Sequence, residues 1–171
     1  MNRILVFVLG AGLWGQGPPA GPNVAAQKEA MKKLEFLVGR WTGEASVRTP
    51  SGEKKLRQTE VVDYRLDGLL ILVEGTGRDA ATGEVVFHAL ATITFDDAAK
   101  VYRFRAHNGG RYLDTELRVE GKGFEWGYAG GPAKVRNIMK LGEGGEWVEY
   151  TEVTMGDRAP VRTVEFTLRR N

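Results

Sequence analysis

The chain has 171 residues, of which 42% are hydrophobic and 27% charged, with a formal charge of +2 and no cysteine. That length suits one domain, or one domain with a processed segment. Acids and bases interleave without a basic block or an aromatic-basic stripe, which argues against nucleic acid as a partner. The missing cysteines exclude disulfides, thiolate nucleophiles and cysteine metal ligands.

The first residues have the order of a secretory signal peptide. One basic residue, Arg3, precedes an apolar run from Ile4 to Trp14, then a Gly/Pro-rich stretch and the small residues Val24-Ala25-Ala26. The run is about eleven residues, where a spanning helix needs roughly twenty. The expectation is a signal peptide over 1–26, cleavage before Gln27, export to the periplasm or medium, and no membrane span thereafter. The remaining domain, 27–171, is long enough to be held by its core alone.

Residues 27–38 place Met31, Leu34, Leu37 and Val38 at helical spacing, which predicts a short amphipathic helix that Gly39 stops. The period then changes to two. "RWTGEASVR" puts Trp41, Gly43, Ala45 and Val47 on one face, and "TPSGEKK" turns the chain. "LRQTEVVDYRL" runs to Asp67-Gly68, a two-residue hairpin signal, and "LLILVEGTGRD" follows. "EVVFHALATITF" has Val85, Phe87, Ala89, Ala91, Ile93 and Phe95 on one side. Five further strands begin at Val101, Arg111, Phe124, Val135 and Trp147, and a last one at Val161. Ten strands with short connections predict an all-β, antiparallel, up-and-down meander. Ten twisted strands left open would expose two edges, and closure removes both. The predicted fold is a roughly ten-stranded β-barrel with the short N-terminal helix closing one end, and a closed barrel favours a monomer.

A short helix followed by Gly39-Arg40-Trp41 entering the first strand of such a meander resembles the calycin superfamily of lipocalins, fatty-acid-binding proteins and nitrobindin-like barrels. With "FLVGRWTGE" and the terminal "EFTLRR", it is similar above all to bacterial exported lipocalin-like families of unknown function. The resemblance implies that Trp41 closes the barrel floor and that Arg169 or Arg170 lies across its ring. The physical argument stands beside it: a tryptophan buries 150–250 Å², and Gly39 lets the chain turn tightly next to it.

Catalytic constellations are sparse. The two serines past the signal region, Ser46 and Ser51, sit near the first turn and in no nucleophile elbow. His88 lies opposite the apolar face of its strand. Glu149 and Glu152, like Asp114 and Glu116, read as solvated strand faces. No metal set and no cofactor is expected, although the resemblance to nitrobindin-like barrels leaves haem on His107 as an alternative. The interior remains. Ten strands leave a cavity unless large side chains fill it, and the candidate lining is Phe87, Tyr102, Phe104, Trp126, Tyr128 and Tyr150. The strand "YRFRAH" has two phases. With Tyr102 and Phe104 inward, Arg103 and Arg105 form a solvated stripe, which is the favoured phase. With the arginines inward they would anchor a carboxylate and need acidic partners such as Glu60. The expected function is binding of a small hydrophobic molecule, carboxylated in the second phase. The alternatives are a haem-dependent or isomerase-type enzyme in the same cavity, or a packed interaction module.

Overall fold

The computed structural model describes residues 21–171; the apolar run Ile4 to Trp14 lies outside the described residues. Helix α1 (Val24–Lys32) leads through a 3-10 turn (Glu35–Leu37) into ten strands: β1 (Gly39–Thr49), β2 (Gly52–Arg65), β3 (Leu70–Asp79), β4 (Val85–Asp96), β5 (Val101–Asn108), β6 (Arg111–Glu120), β7 (Gly123–Gly130), β8 (Ala133–Leu141), β9 (Trp147–Met155) and β10 (Val161–Arg170). Each strand pairs antiparallel with its neighbour in sequence, and β10 returns to β1, so the sheet closes and leaves no free edge. At the seam, Trp41 stands opposite Arg170 and Gly43 opposite Leu168. A Cβ on Gly43 would lie 2.1 Å from the Thr167 carbonyl oxygen, so only glycine lets β10 approach this closely.

The helical segment differs from its expected span. Asn23 caps α1 by accepting the Ala26 N–H at 3.0 Å, so the first turn includes Val24 to Ala26. The expected boundary before Gln27 therefore falls inside the helix. The α-helical part ends at Lys32, and the 3-10 turn delivers Leu34 and Leu37 to the core beside Met31, all three fully buried. The turn at Asp67-Gly68 also differs. A four-residue loop, Leu66 to Leu69, replaces the two-residue turn, because Leu66 as well as Asp67 and Gly68 takes positive φ and the ladder ends at Arg65–Leu70.

The helix covers the end of the barrel where β1 begins and β10 finishes. The last carbonyls of the helix and of the 3-10 turn accept from side chains of four strands, at Ala30 and Met31 beside the backbone N–H groups of Lys33 and Leu34. Tyr102 donates to the Ala30 oxygen at 2.7 Å, Tyr64 to Met31 at 3.0 Å, and Trp41 Nε1 to Leu37 at 2.7 Å. The Arg170 guanidinium reaches the Phe36 and Val38 oxygens, each at 2.6 Å, while lying 4.4 Å from the centroid of the Trp41 ring. Trp41 is 1% exposed and meets Trp147 edge-on at 5.6 Å. Gly39, at φ +135°, carries the chain past the Arg170 side chain. Arg169, the other arginine considered for this place, lies on the outer surface against β1 and β9 residues.

Trp41→Ala should lower unfolding free energy by roughly 3–5 kcal/mol. Arg170→Ala should lower it by about 1–2 kcal/mol through the lost cation–π contact and hydrogen bonds. Guanidinium titrations followed by circular dichroism check both, and an unchanged midpoint in the tryptophan variant would rule out its sealing role.

Candidate functional site

Small residues on neighbouring strands hollow out the other half of the barrel. Gly75 on β3, Ala89 and Ala91 on β4 and Ala106 on β5 occupy inward positions that larger side chains would fill. The space left is a cavity of about 630 Å³, walled by Val73, Phe87, Ile93, Phe104, Leu113, Phe124, Trp126 and Tyr128 and open at the rim where Asn108, Arg111 and Tyr112 stand. Phe104 and Trp126 stack at 5.0 Å, and Trp126 continues onto Tyr128 at 6.5 Å. The result is a continuous aromatic wall on one side.

The deep end is polar. Leu56, Gln58, Glu60 and Val62 share the inner face of β2, and Glu60 pairs across β1 with Trp41 and across β3 with Gly75. A Cβ at position 75 would sit 2.8 Å and 2.9 Å from the two Glu60 carboxyl oxygens, so the glycine makes room for the acid. Gly77 does the same for Gln58, whose Nε2 donates to Glu60 Oε1 at 2.7 Å. From β9, Trp147 and Glu149 point inward. Trp147 Nε1 donates to Glu149 Oε2 at 2.6 Å, and Asn137 Nδ2 on β8 donates to the other oxygen. Glu60 is 7% exposed and Glu149 9%. Burial pushes Glu149 up to about 7, against the stabilising hydrogen bonds of Asn137 and Trp147. Burial, reinforced by the negative charge of Glu149, pushes Glu60 up to about 8. Two acids that resist ionisation therefore face one apolar cavity.

The structure sorts the residues singled out from the sequence. Phe87, Phe104, Trp126 and Tyr128 line the cavity. Tyr102 shares the inward face with Phe104, but it lies at the sealed end, where it props the helix and meets Phe95 edge-on at 5.0 Å. Tyr150 is corrected: it points outward with Arg162 4.0 Å over its ring, because Trp147 takes the inner face and a residue three positions on in a strand must take the other. Arg103 and Arg105 also point outward. Arg103 pairs with Asp96 at 3.3 Å and Glu116 at 3.2 Å, and Arg105 pairs with Asp114. The carboxylate-anchoring phase is thereby overturned. His107 is exposed on the face opposite Phe104 and Ala106 and does not line the cavity, and His88 bonds Glu74 at 2.9 Å outside. Among the described residues no group of three or more His, Asp or Glu is placed to hold a metal ion, and no helix is long and apolar enough to cross a membrane.

The reading of Glu149 as a solvated residue is corrected as well. Its partner in that reading, Glu152, is outward and pairs with Arg136 at 3.5 Å, whereas Glu149 is inside. Strand period alone carried the signal, since Trp147 and Glu149 are two apart.

Fold and interior together define a closed, ten-stranded antiparallel barrel with an internal cavity. Two solved structures are similar to it. "Rv2717c" from M. tuberculosis superimposes with a TM-score of 0.62 at 12% identity, over 83% of this chain and 97% of that one. The S-type phycobiliprotein lyase CPES from Guillardia theta gives 0.57 at 11% identity, over 83% and 92%. No family model and no curated protein matches the chain.

The buried acids make stability depend on pH. In the unfolded chain both titrate near the ordinary glutamate value of 4.5, and the fold raises both. Their contribution is fully present below about pH 4.5 and is lost as pH rises through about 7 for Glu149 and about 8 for Glu60. The melting temperature should therefore fall between about pH 5 and about pH 8.5, and the double variant Glu60→Gln/Glu149→Gln should fall less over that window. Calorimetry of parent and variant checks this, and identical slopes would mean that the two acids do not control it.

Proposed function

We propose that this protein is an exported binding protein that holds a small, largely apolar molecule inside its barrel. The cavity carries the proposal: its volume of about 630 Å³ falls in the range of small-molecule sites, as does its lining of aromatic and aliphatic walls with a few polar groups. Trp41, Arg170 and the helix seal one end, so a ligand enters at the rim marked by Phe87, Asn108 and Tyr112. Export rests on the order of charged, apolar and small residues at the start of the chain. Asn23 donates its N–H to Asp97 at 2.8 Å, and Gln27 bonds the same carboxylate at 2.5 Å, which favours a cut upstream of Asn23 that keeps the capped helix.

An isomerase-type enzyme in the same cavity is the second reading, and one observation favours it: the buried pair of acids with raised pKa values is what general acid–base chemistry uses. A bound compound recovered chemically unchanged after prolonged incubation would separate binding from turnover.

Nile red, a neutral apolar dye, should brighten and shift to the blue on mixing with the protein. Ala106→Trp, which fills the middle of the cavity, should weaken that binding by about tenfold or more, a change of about 1.4 kcal/mol. Equal dye binding by the parent and by a folded Ala106→Trp protein would place the dye outside the barrel.

A further inference from the structure

We infer that the interior selects a cation: a protonated amine on an apolar or aromatic body, with its ammonium seated between Glu60 and Glu149 at the deep end. This rests on the reading of the barrel as an interior binder and specifies what it takes.

Charge is the first reason. Glu60 from β2 and Glu149 from β9 reach into one cavity, and the charge on Glu149 acts on Glu60. The other titratable groups of the lining are Arg111, Tyr112 and Tyr128, which stand toward the open end, and Arg111 is the lining's one basic residue. The groups beside the acids are Gln58 and Trp147 on their own strands and Trp41, Gly75, Asn137, Met139 and Phe166 on the neighbouring ones, none of them a cation. A carboxylate buried without a positive partner is costly, so such groups either keep a proton or meet a cation.

Hydrogen bonding is the second. Both Glu149 oxygens accept from neutral donors, Asn137 and Trp147, the arrangement of a carboxylate rather than a carboxylic acid. Glu60 accepts from Gln58 at Oε1, while its Oε2 has no hydrogen-bond partner among the described residues although the side chain is 7% exposed and faces the cavity. Glu60 is thus the group that carries the proton, and its open oxygen is directed at the space a ligand would fill. An ammonium brings three donors to these acceptors.

The wall is the third reason. Phe104, Trp126 and Tyr128 present stacked rings along the cavity. Such faces pack an apolar body and also attract a cation passing over them. A carboxylate ligand would meet two acids with no arginine beside them.

Binding a cation draws the acids into their charged form, so an amine should release protons on binding at about pH 6, which lies below both values, and few above about pH 8.

Phenylbutylamine, phenylbutanol and phenylbutyrate share one body and differ in the head group. Titration calorimetry at about pH 7.5 should give the amine a Kd about tenfold or more below that of the alcohol, with the acid weakest. Glu149→Gln should bring the amine to within about twofold of the alcohol. Glu60→Gln should narrow the gap in the same direction, and it serves should the first variant fail to fold. Repeating the amine titration at about pH 6 in two buffers of different ionisation enthalpy reads the protons released. Equal affinity for amine and alcohol, preference for the acid, or an amine advantage that survives both substitutions would overturn the inference while leaving interior binding standing. If none of the three compounds binds but Nile red does, the amine inference also falls alone. If Nile red fails too, the interior-binding reading falls with it.

Discussion

The seal at the helix end depends on side-chain donors of the barrel meeting backbone carbonyls of α1 and its 3-10 turn. Trp41 does this while filling the floor with its ring, and Arg170, opposite it across the β1–β10 seam, does it twice while covering that ring. A residue near each terminus of the domain is thus tied into one contact, which closes the sheet and the end of the barrel together. Tyr64 and Tyr102 extend the same pattern from β2 and β5. With one end closed by an apolar cluster of Met31, Leu34, Leu37, Trp41 and Leu168, the other half of the interior need not be filled to keep the molecule folded.

That freedom explains the unusual composition of the inner surface. Gly75, Ala89, Ala91 and Ala106 give up packing that larger residues would provide, and Glu60 and Glu149 place ionisable groups where apolar ones would be more stable. Gly75 and Gly77 lie directly opposite Glu60 and Gln58, so the space for the polar pair is built into the β2–β3 register. The likeness to Rv2717c and to the phycobiliprotein lyase covers most of each chain at 12% and 11% identity. It shows the shared barrel, so the chemistry of the interior has to be read from this chain's own residues.

Much of that interior was open to strand arithmetic. A turn centred between Asp67 and Gly68 sets Glu60 opposite Gly75 whether the loop has two residues or four. Leu56 and Val62 then mark the face on which Gln58 and Glu60 sit. On β9, Trp147 turned inward brings Glu149 in and sends Tyr150 out. Glu149 escapes a reading by composition because a glutamate in a strand is usually solvated and because aromatic content, unlike phase, favours Tyr150 over Trp147, while Glu60 stands out only as a counter-charge for the β5 arginines. The outward phase of Arg103 and Arg105 on β5 is legible in the sequence, because Phe104 between them takes the core side.

What the sequence determined by itself was the architecture: a period of two repeated ten times, short turns, and a tryptophan at the change of period leave little choice beyond a closed meander under a helix. Local pattern suffices there because it reflects contacts between near neighbours in the chain. What the tertiary structure decided was the character of the cavity. Glu60 and Glu149 are 89 residues apart, and each is unremarkable in its own strand. Only closure of the barrel brings them to the same apolar space, where burial raises both pKa values, the charge of Glu149 raises that of Glu60 further, and the pair becomes a site.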